Sequence, residues 1–99
     1  MSSSETKFKV ALAQSASVND DALELSLTDG RRLVVPLAWF PRLEQGTAAE
    51  RSNWRLIGNG EGIHWPDLDE DISVESLLAG RRSDETPESL QTWRNRRGR

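Results

Sequence analysis

The chain has 99 residues, 35% of them hydrophobic, which suits one small core and leaves no room for a second. It has no cysteine, which excludes disulfide frameworks and thiolate metal sites and fits a reducing compartment. The net charge of −3 hides a split: residues 1–80 hold 7 Lys/Arg against 13 Asp/Glu, whereas residues 81–99 hold 6 Arg against 3 acids. The first part therefore repels nucleic acid, while the tail can attract it or an acidic protein surface. The opening MSSSETKFKV lacks a basic region followed by an apolar run, so no signal peptide is expected. No apolar stretch approaches the roughly 20 residues of a membrane helix. A cytoplasmic protein without membrane contact is expected.

Met1–Thr6 is polar and expected to fray. From Lys7, Phe8, Val10 and Leu12 alternate with Lys9 and Ala11, which predicts a first strand, and Ser15–Asp21 is rich in turn-formers. Leu23, Leu25 and Leu27 predict a second strand, Asp29-Gly30 a tight hairpin, and Leu33, Val35 and Leu37 a third strand whose edge or end Pro36 marks. Leu37–Gly46 reads as a short helix or turn in which Gly46 follows the end. Thr47-Ala48-Ala49-Glu50 then matches a capping box ahead of a helix over Ala48–Asn53. Apolar residues on either side of Gly58-Asn59-Gly60-Glu61-Gly62 predict a second hairpin, and Ser73 caps a helix over Val74–Ala79 that Gly80 closes. Thr86-Pro87-Glu88 starts a tail helix, Pro87–Arg94, with Leu90 and Trp93 on one face and arginines at its C-terminal end. The expected fold is α+β: a small antiparallel β-meander and a second hairpin, packed with two or three short helices, over residues 1–80, then a basic helical tail over 81–99.

The glycine-rich turn lacks the G-x-G-x-x-G pattern of dinucleotide sites and the Gly-Lys-Ser/Thr of a P-loop, so it reads as a hairpin turn. His64 precedes Asp67, Asp69, Glu70 and Asp71, a mixture compatible with general-base or metal chemistry. The Asp67, Asp69, Asp71 spacing imitates an EF-hand opening, but the sixth and twelfth positions are Ile72 and Leu78 instead of Gly and Glu. The run is therefore expected to be a solvated acidic loop before a helix, His64 a hydrogen-bonded structural residue, and the chain neither an enzyme nor a holder of metal or cofactor. Trp39, Trp54 and Trp65 sit in apolar contexts and are expected in or near the core. Trp93 has only Leu90 for apolar company, so it either docks on its own domain, joins a homodimer or meets a partner. Arg94, Arg96 and Arg97 suit phosphates or acidic protein surfaces, or form a solvated terminus.

From Leu33 to Gly80 the chain resembles a family of small bacterial proteins, domain of unknown function 2442. The resemblance is carried by Val35-Pro36-Leu37-Ala38-Trp39-Phe40-Pro41-Arg42-Leu43, preceded by Asp29-Gly30-Arg31. It continues through Asn53-Trp54-Arg55 and the run Gly62-Ile63-His64-Trp65-Pro66-Asp67-Leu68-Asp69-Glu70-Asp71-Ile72-Ser73. It implies an α+β domain, also found ahead of a separate helix-turn-helix domain in a protein classed as DNA-binding, and stand-alone members that look like antitoxins. It implies no catalytic residues. Only nineteen residues follow Gly80, too few for a helix-turn-helix domain. The expectation is a non-enzymatic interaction module, antitoxin-like, that binds and occludes a small basic partner. Its partner-binding residues would be Asp67, Asp69, Glu70 and Asp71 with Leu90, Trp93, Arg94, Arg96 and Arg97. The alternative is a nucleic-acid-associated regulator acting through the arginine tail.

Overall fold

Asp29-Gly30 forms a tight turn: Gly30 takes φ +95°, and the Asp29 carboxylate accepts the Arg31 N–H at 3.0 Å. Residues 11–98 are described by a computed structural model. Around that turn, strands β1 (Ala13–Val18), β2 (Ala22–Leu27) and β3 (Arg32–Pro36) form an antiparallel meander in sequence order. Leu23, Leu25 and Leu27 of β2 all point into the core, as their alternation requires. The first strand differs from expectation. The sequence pattern placed it at Lys7–Leu12, of which 7–10 lie outside the described residues and Ala11 and Leu12 are not in a strand. Instead the serine-rich AQSASV segment is the strand, because it lies in register with β2, from Ala13 opposite Leu27 to Val18 opposite Leu23. Cross-strand pairing outweighs the turn preference of serine. The turn contracts to Asn19–Asp21, where Asn19 Oδ1 accepts the N–H groups of Asp21 and Ala22 at 2.7 and 2.8 Å.

A 3₁₀ turn (Leu37–Trp39) leads into α1 (Pro41–Glu44) and α2 (Ala48–Ser52). Helices this short do not hold themselves. The Thr47/Glu50 capping box closes α2 at 3.1 and 2.9 Å, and Arg51 donates to the carbonyls of Leu43 and Glu44 at 2.8 and 2.9 Å, capping the end of α1. Gly46 is needed for space rather than for a left-handed cap: a Cβ there would lie 2.8 Å from Leu68 Cδ1.

The second sheet is β4 (Arg55–Ile57), β5 (Gly62–Trp65) and β6 (Glu70–Ser73), again antiparallel and in order, followed by α3 (Val74–Leu78). The β4–β5 hairpin matches expectation; β6 does not. Half of the supposed acidic loop is a strand, because Ile72 is buried and pairs with Ile63. Ser73 caps α3 by accepting the Ser76 N–H at 3.0 Å, and Gly80, at φ +76°, ends it. After an extended linker comes α4 (Pro87–Arg96), whose Trp93 is buried in the same cluster as Leu23, Leu43, Ile63, Trp65 and Leu68. Among the described residues, no helix is long and apolar enough to cross a membrane.

The two sheets are joined where Ala13 N–H donates to Gly60 O at 2.6 Å. Gly60 has φ +109°, and a Cβ there would lie 2.3 Å from Ala13 O, whereas one on Gly30 would meet nothing within 4 Å. Gly60→Ala should therefore cost about 2–4 kcal/mol, from strain plus a backbone clash, and Gly30→Ala about 1 kcal/mol, from strain alone. Urea unfolding of the two variants checks the difference; equal losses would place the joint elsewhere.

Candidate protein-interaction site

The acidic run and the basic tail meet at one turn. Residues 66–69 connect β5 to β6, with Asp69 in the left-handed region at φ 53°. Three successive carbonyls of this turn accept donors from elsewhere: Asp67 O from Arg97 at 2.8 Å, Leu68 O from Trp93 Nε1 at 2.9 Å, and Asp69 O from Arg42 at 2.8 Å. The Arg97 and Arg42 guanidinium carbons lie 4.6 and 5.5 Å from the Trp93 ring centroid, within cation–π range.

Each arginine also has a carboxylate. Arg97 bonds both oxygens of Glu50, at 3.1 and 3.0 Å, so the capping-box glutamate also holds the tail. Arg42 bonds Glu85 at 2.6 Å, and Ser89 Oγ donates to the same carboxylate. Thr86 and Ser89 form a reciprocal cap at the start of α4, at 3.0 and 2.9 Å, which sets the helix so that Leu90 and Trp93 face inward. Arg94 and Arg96 are exposed on α4. Thus of the tail residues singled out in the sequence, Leu90, Trp93 and Arg97 pack on their own domain and Arg94 and Arg96 face solvent.

The four acids have separate environments. Asp67 is exposed and accepts from Asn53 Nδ2 at 2.9 Å. The Asp69 and Asp71 side chains are 71% and 67% exposed. Asp71 accepts a hydrogen bond from His64 Nδ1, its partner across the β5–β6 ladder, and Arg55 faces His64 from β4. That row on the outer sheet face is the physical role of His64. Among the described residues, no three His, Cys, Asp or Glu side chains converge as metal ligands. The sequence points to Glu50 only as a helix cap and does not point to Arg42 or Glu85 as members of the site; Arg42 and Glu85 are 43 positions apart, and no local pattern links them.

Glu70 is half-buried, and its carboxyl is pushed up to about 7: burial is the main cause, the charge of Arg42 opposes it, and Glu85, Asp71 and Asp69 reinforce it. Burial also pushes Glu85 up, but hydrogen bonds from Arg42 and Ser89 outweigh it, and Glu85 ends below its ordinary value. The two act in different windows. The raised Glu70 favours the folded state when neutral, so its contribution is complete below about 4.5 and lost as pH rises through about 7. Glu85 acts in the opposite sense, and its contribution is lost on acidification below 4.5. Discounted for partial solvent screening, Glu70 should add about 2 kcal/mol between pH 8 and pH 5. Urea unfolding across that range, compared with Glu70→Gln, isolates this share; parallel curves for the two proteins would show that Glu70 does not supply it.

The chain covers 78% of itself and 95% of a protein of unknown function from Rhodospirillum rubrum, known from a crystal structure, with TM-score 0.67 at 24% identity. An uncharacterized protein from Chromobacterium violaceum, known from solution NMR, aligns at TM-score 0.65 and 20% identity over 81% of this chain and 73% of its own. At these identities the likeness is one of fold. No curated protein matches the chain. The model of the family described as "Protein of unknown function (DUF2442)" matches residues 13–83, from the first strand of the meander into the linker before α4, and the chain therefore belongs to that family.

Proposed function

We propose that this chain is a cytoplasmic, non-enzymatic protein-interaction module of antitoxin type that binds and occludes a small basic partner. The observation that carries the reading is the division of charge at the turn. Trp93 and Arg97 of the tail and Arg42 of α1 hold the turn through the carbonyls of Leu68, Asp67 and Asp69, while the side chains of Asp67, Asp69 and Asp71 stay exposed, that of Asp69 with Arg42 at 3.4 Å. Pinned acids on a small domain suit steering of a basic protein surface. The non-enzymatic part draws support from His64, whose Nδ1 is committed to a cross-strand partner on an exposed sheet face. Reversing two of the acids, Asp69→Lys with Asp71→Lys, should slow association with the basic partner about tenfold at low salt and leave the dissociation rate nearly unchanged. Surface plasmon resonance at two salt concentrations, using partner captured with the full chain, gives both rates. An unchanged association rate removes the acidic turn from the proposal.

A second reading, a nucleic-acid-associated regulator, is favoured by one observation: Arg94 and Arg96 lie on the exposed side of α4. If each neutralises a phosphate, replacing both with alanine should reduce the slope of log K against log salt by about 2 on duplex DNA. Fluorescence anisotropy with a labelled duplex measures that slope, and salt-insensitive binding, or none, rejects the regulator.

A further inference from the structure

We infer that the free edge of β6 is a strand-addition site for an extended segment of a protein partner in which basic and apolar side chains alternate. This deepens the interaction reading and rests on it. Among the described residues, strand β6 is the last strand of its sheet and pairs on one side only, with β5. The phase of that ladder is set where it ends: Val74 N–H donates to Glu61 O at 3.0 Å. Inward bonding alternates along an antiparallel strand, so Glu70 and Ile72 bond to β5, while Asp71 directs its N–H and C=O, and Ser73 its N–H, to the free edge; the Ser73 carbonyl starts α3. Such an edge is a template for pairing unless something covers it.

Across that edge lies an open groove of about 630 Å³, bounded on its other side by residues 80–84. The linker does not close it, because its backbone bonds go elsewhere: Arg81 N–H to Ser76 O and Ser83 N–H to Trp39 O, both at 3.0 Å. The Arg82 guanidinium is stacked on Trp39, 5.0 Å from the ring centroid, and is thereby tied to the far wall. Four residues of β6 span about 13 Å, enough to pair with a segment of similar length.

Complementarity selects the occupant. Asp71 lies on the outer face of the sheet with its carboxylate 67% exposed, so a residue paired with it is best basic. Ile72 points to the inner face, where it and Phe40 line the groove, so the next residue of the partner is best apolar. Asp84 adds a carboxylate at the groove, beside the half-buried Glu70 that faces Arg42, and with Arg82 drawn onto Trp39, Arg81 is the other arginine of the lining. A segment alternating basic and apolar residues, added antiparallel, satisfies both faces at once.

The test uses the full chain and an acetylated, amidated heptapeptide of alternating lysine and valine, compared with the same peptide N-methylated at its lysines. Methylation keeps charge and apolarity but removes the donors that face β6. The expected result is slowed amide hydrogen exchange at Asp71 and Ser73 with the first peptide, and its loss together with about tenfold weaker binding with the second. In the protein, Asp71→Pro deletes an outward donor that β5 does not use and should weaken binding about tenfold beyond Asp71→Ala, which removes only the carboxylate. If Asp71→Pro fails to fold, the methylated peptide tests the same bonds on the unaltered chain. Equal binding of both peptides, or protection confined to other amides, overturns the inference. If the partner captured for the charge-reversal experiment binds Asp71→Pro as tightly as wild type and neither peptide protects Asp71 and Ser73, the edge site falls and the interaction reading stands. If neither partner nor peptide binds, both fall.

Discussion

The three consecutive carbonyls of Asp67, Leu68 and Asp69 are the constraint on which the rest of the structure depends. A hairpin turn normally leaves its carbonyls to water. Here each receives a donor from a different distant residue: Arg97, Trp93 and Arg42. Charged donors are worth more than neutral ones in a partly buried setting, and each arginine also closes on a carboxylate, Glu50 or Glu85. The turn thereby links α2, the linker, α4 and β6 in one network. Ordering a ten-residue helix costs about 1–2 kcal/mol per residue in backbone entropy. A lone Leu–Trp pair does not offset that; Trp93 adds its indole hydrogen bond to Leu68 O, and Arg97 adds bonds to Asp67 O and to both oxygens of Glu50.

Local signals in the sequence were read reliably, and pairing signals were not. Asp29-Gly30, the Thr47/Glu50 box, Ser73, Gly80 and Thr86-Pro87 are decisions taken within four residues, and each appears in the structure as its chemistry requires. The leucines of β2 were legible because one face is wholly buried and the other is not. Strand β1 was missed because its serines alternate with nothing strongly apolar; β2 alone makes that segment a strand. Strand β6 was missed for a different reason. Its inward positions are Glu70 and Ile72, and an inward glutamate erases the apolar period. Glu70 tolerates its place because burial raises its pKa towards neutrality and Arg42 stands close by.

The candidate site was legible as a string of residues and illegible as an arrangement. Asp67, Asp69, Glu70 and Asp71 lie within five residues, which suggests a single acidic surface, yet the period of a turn running into a strand separates them. Asp67 takes an asparagine, Asp69 offers its carbonyl to Arg42, Glu70 turns inward, and Asp71 takes His64. Arg94, Arg96 and Arg97 lie within four residues, and helical geometry sends Arg97 inward while the other two remain exposed. His64 had no evident purpose in the linear sequence, because its partner lies opposite it on the next strand.

The charge split between the two parts of the chain therefore has an internal explanation. An acidic domain followed by an arginine-rich tail reads as two surfaces offered to partners. Much of that opposition is satisfied within the molecule, by Arg97 on Glu50 and by the donors on the turn carbonyls. Net charge by segment thus overstates what is left for a partner. What the internal pairing leaves open is narrower and better defined: exposed carboxylates on a rigid turn, two outward arginines on α4, and the unpaired backbone along β6. Of these, the strand edge carries the most geometric information, because an added strand must match its register as well as its charge. Under the interaction reading proposed above, charge brings a partner to the domain, and the edge of β6 decides which one fits.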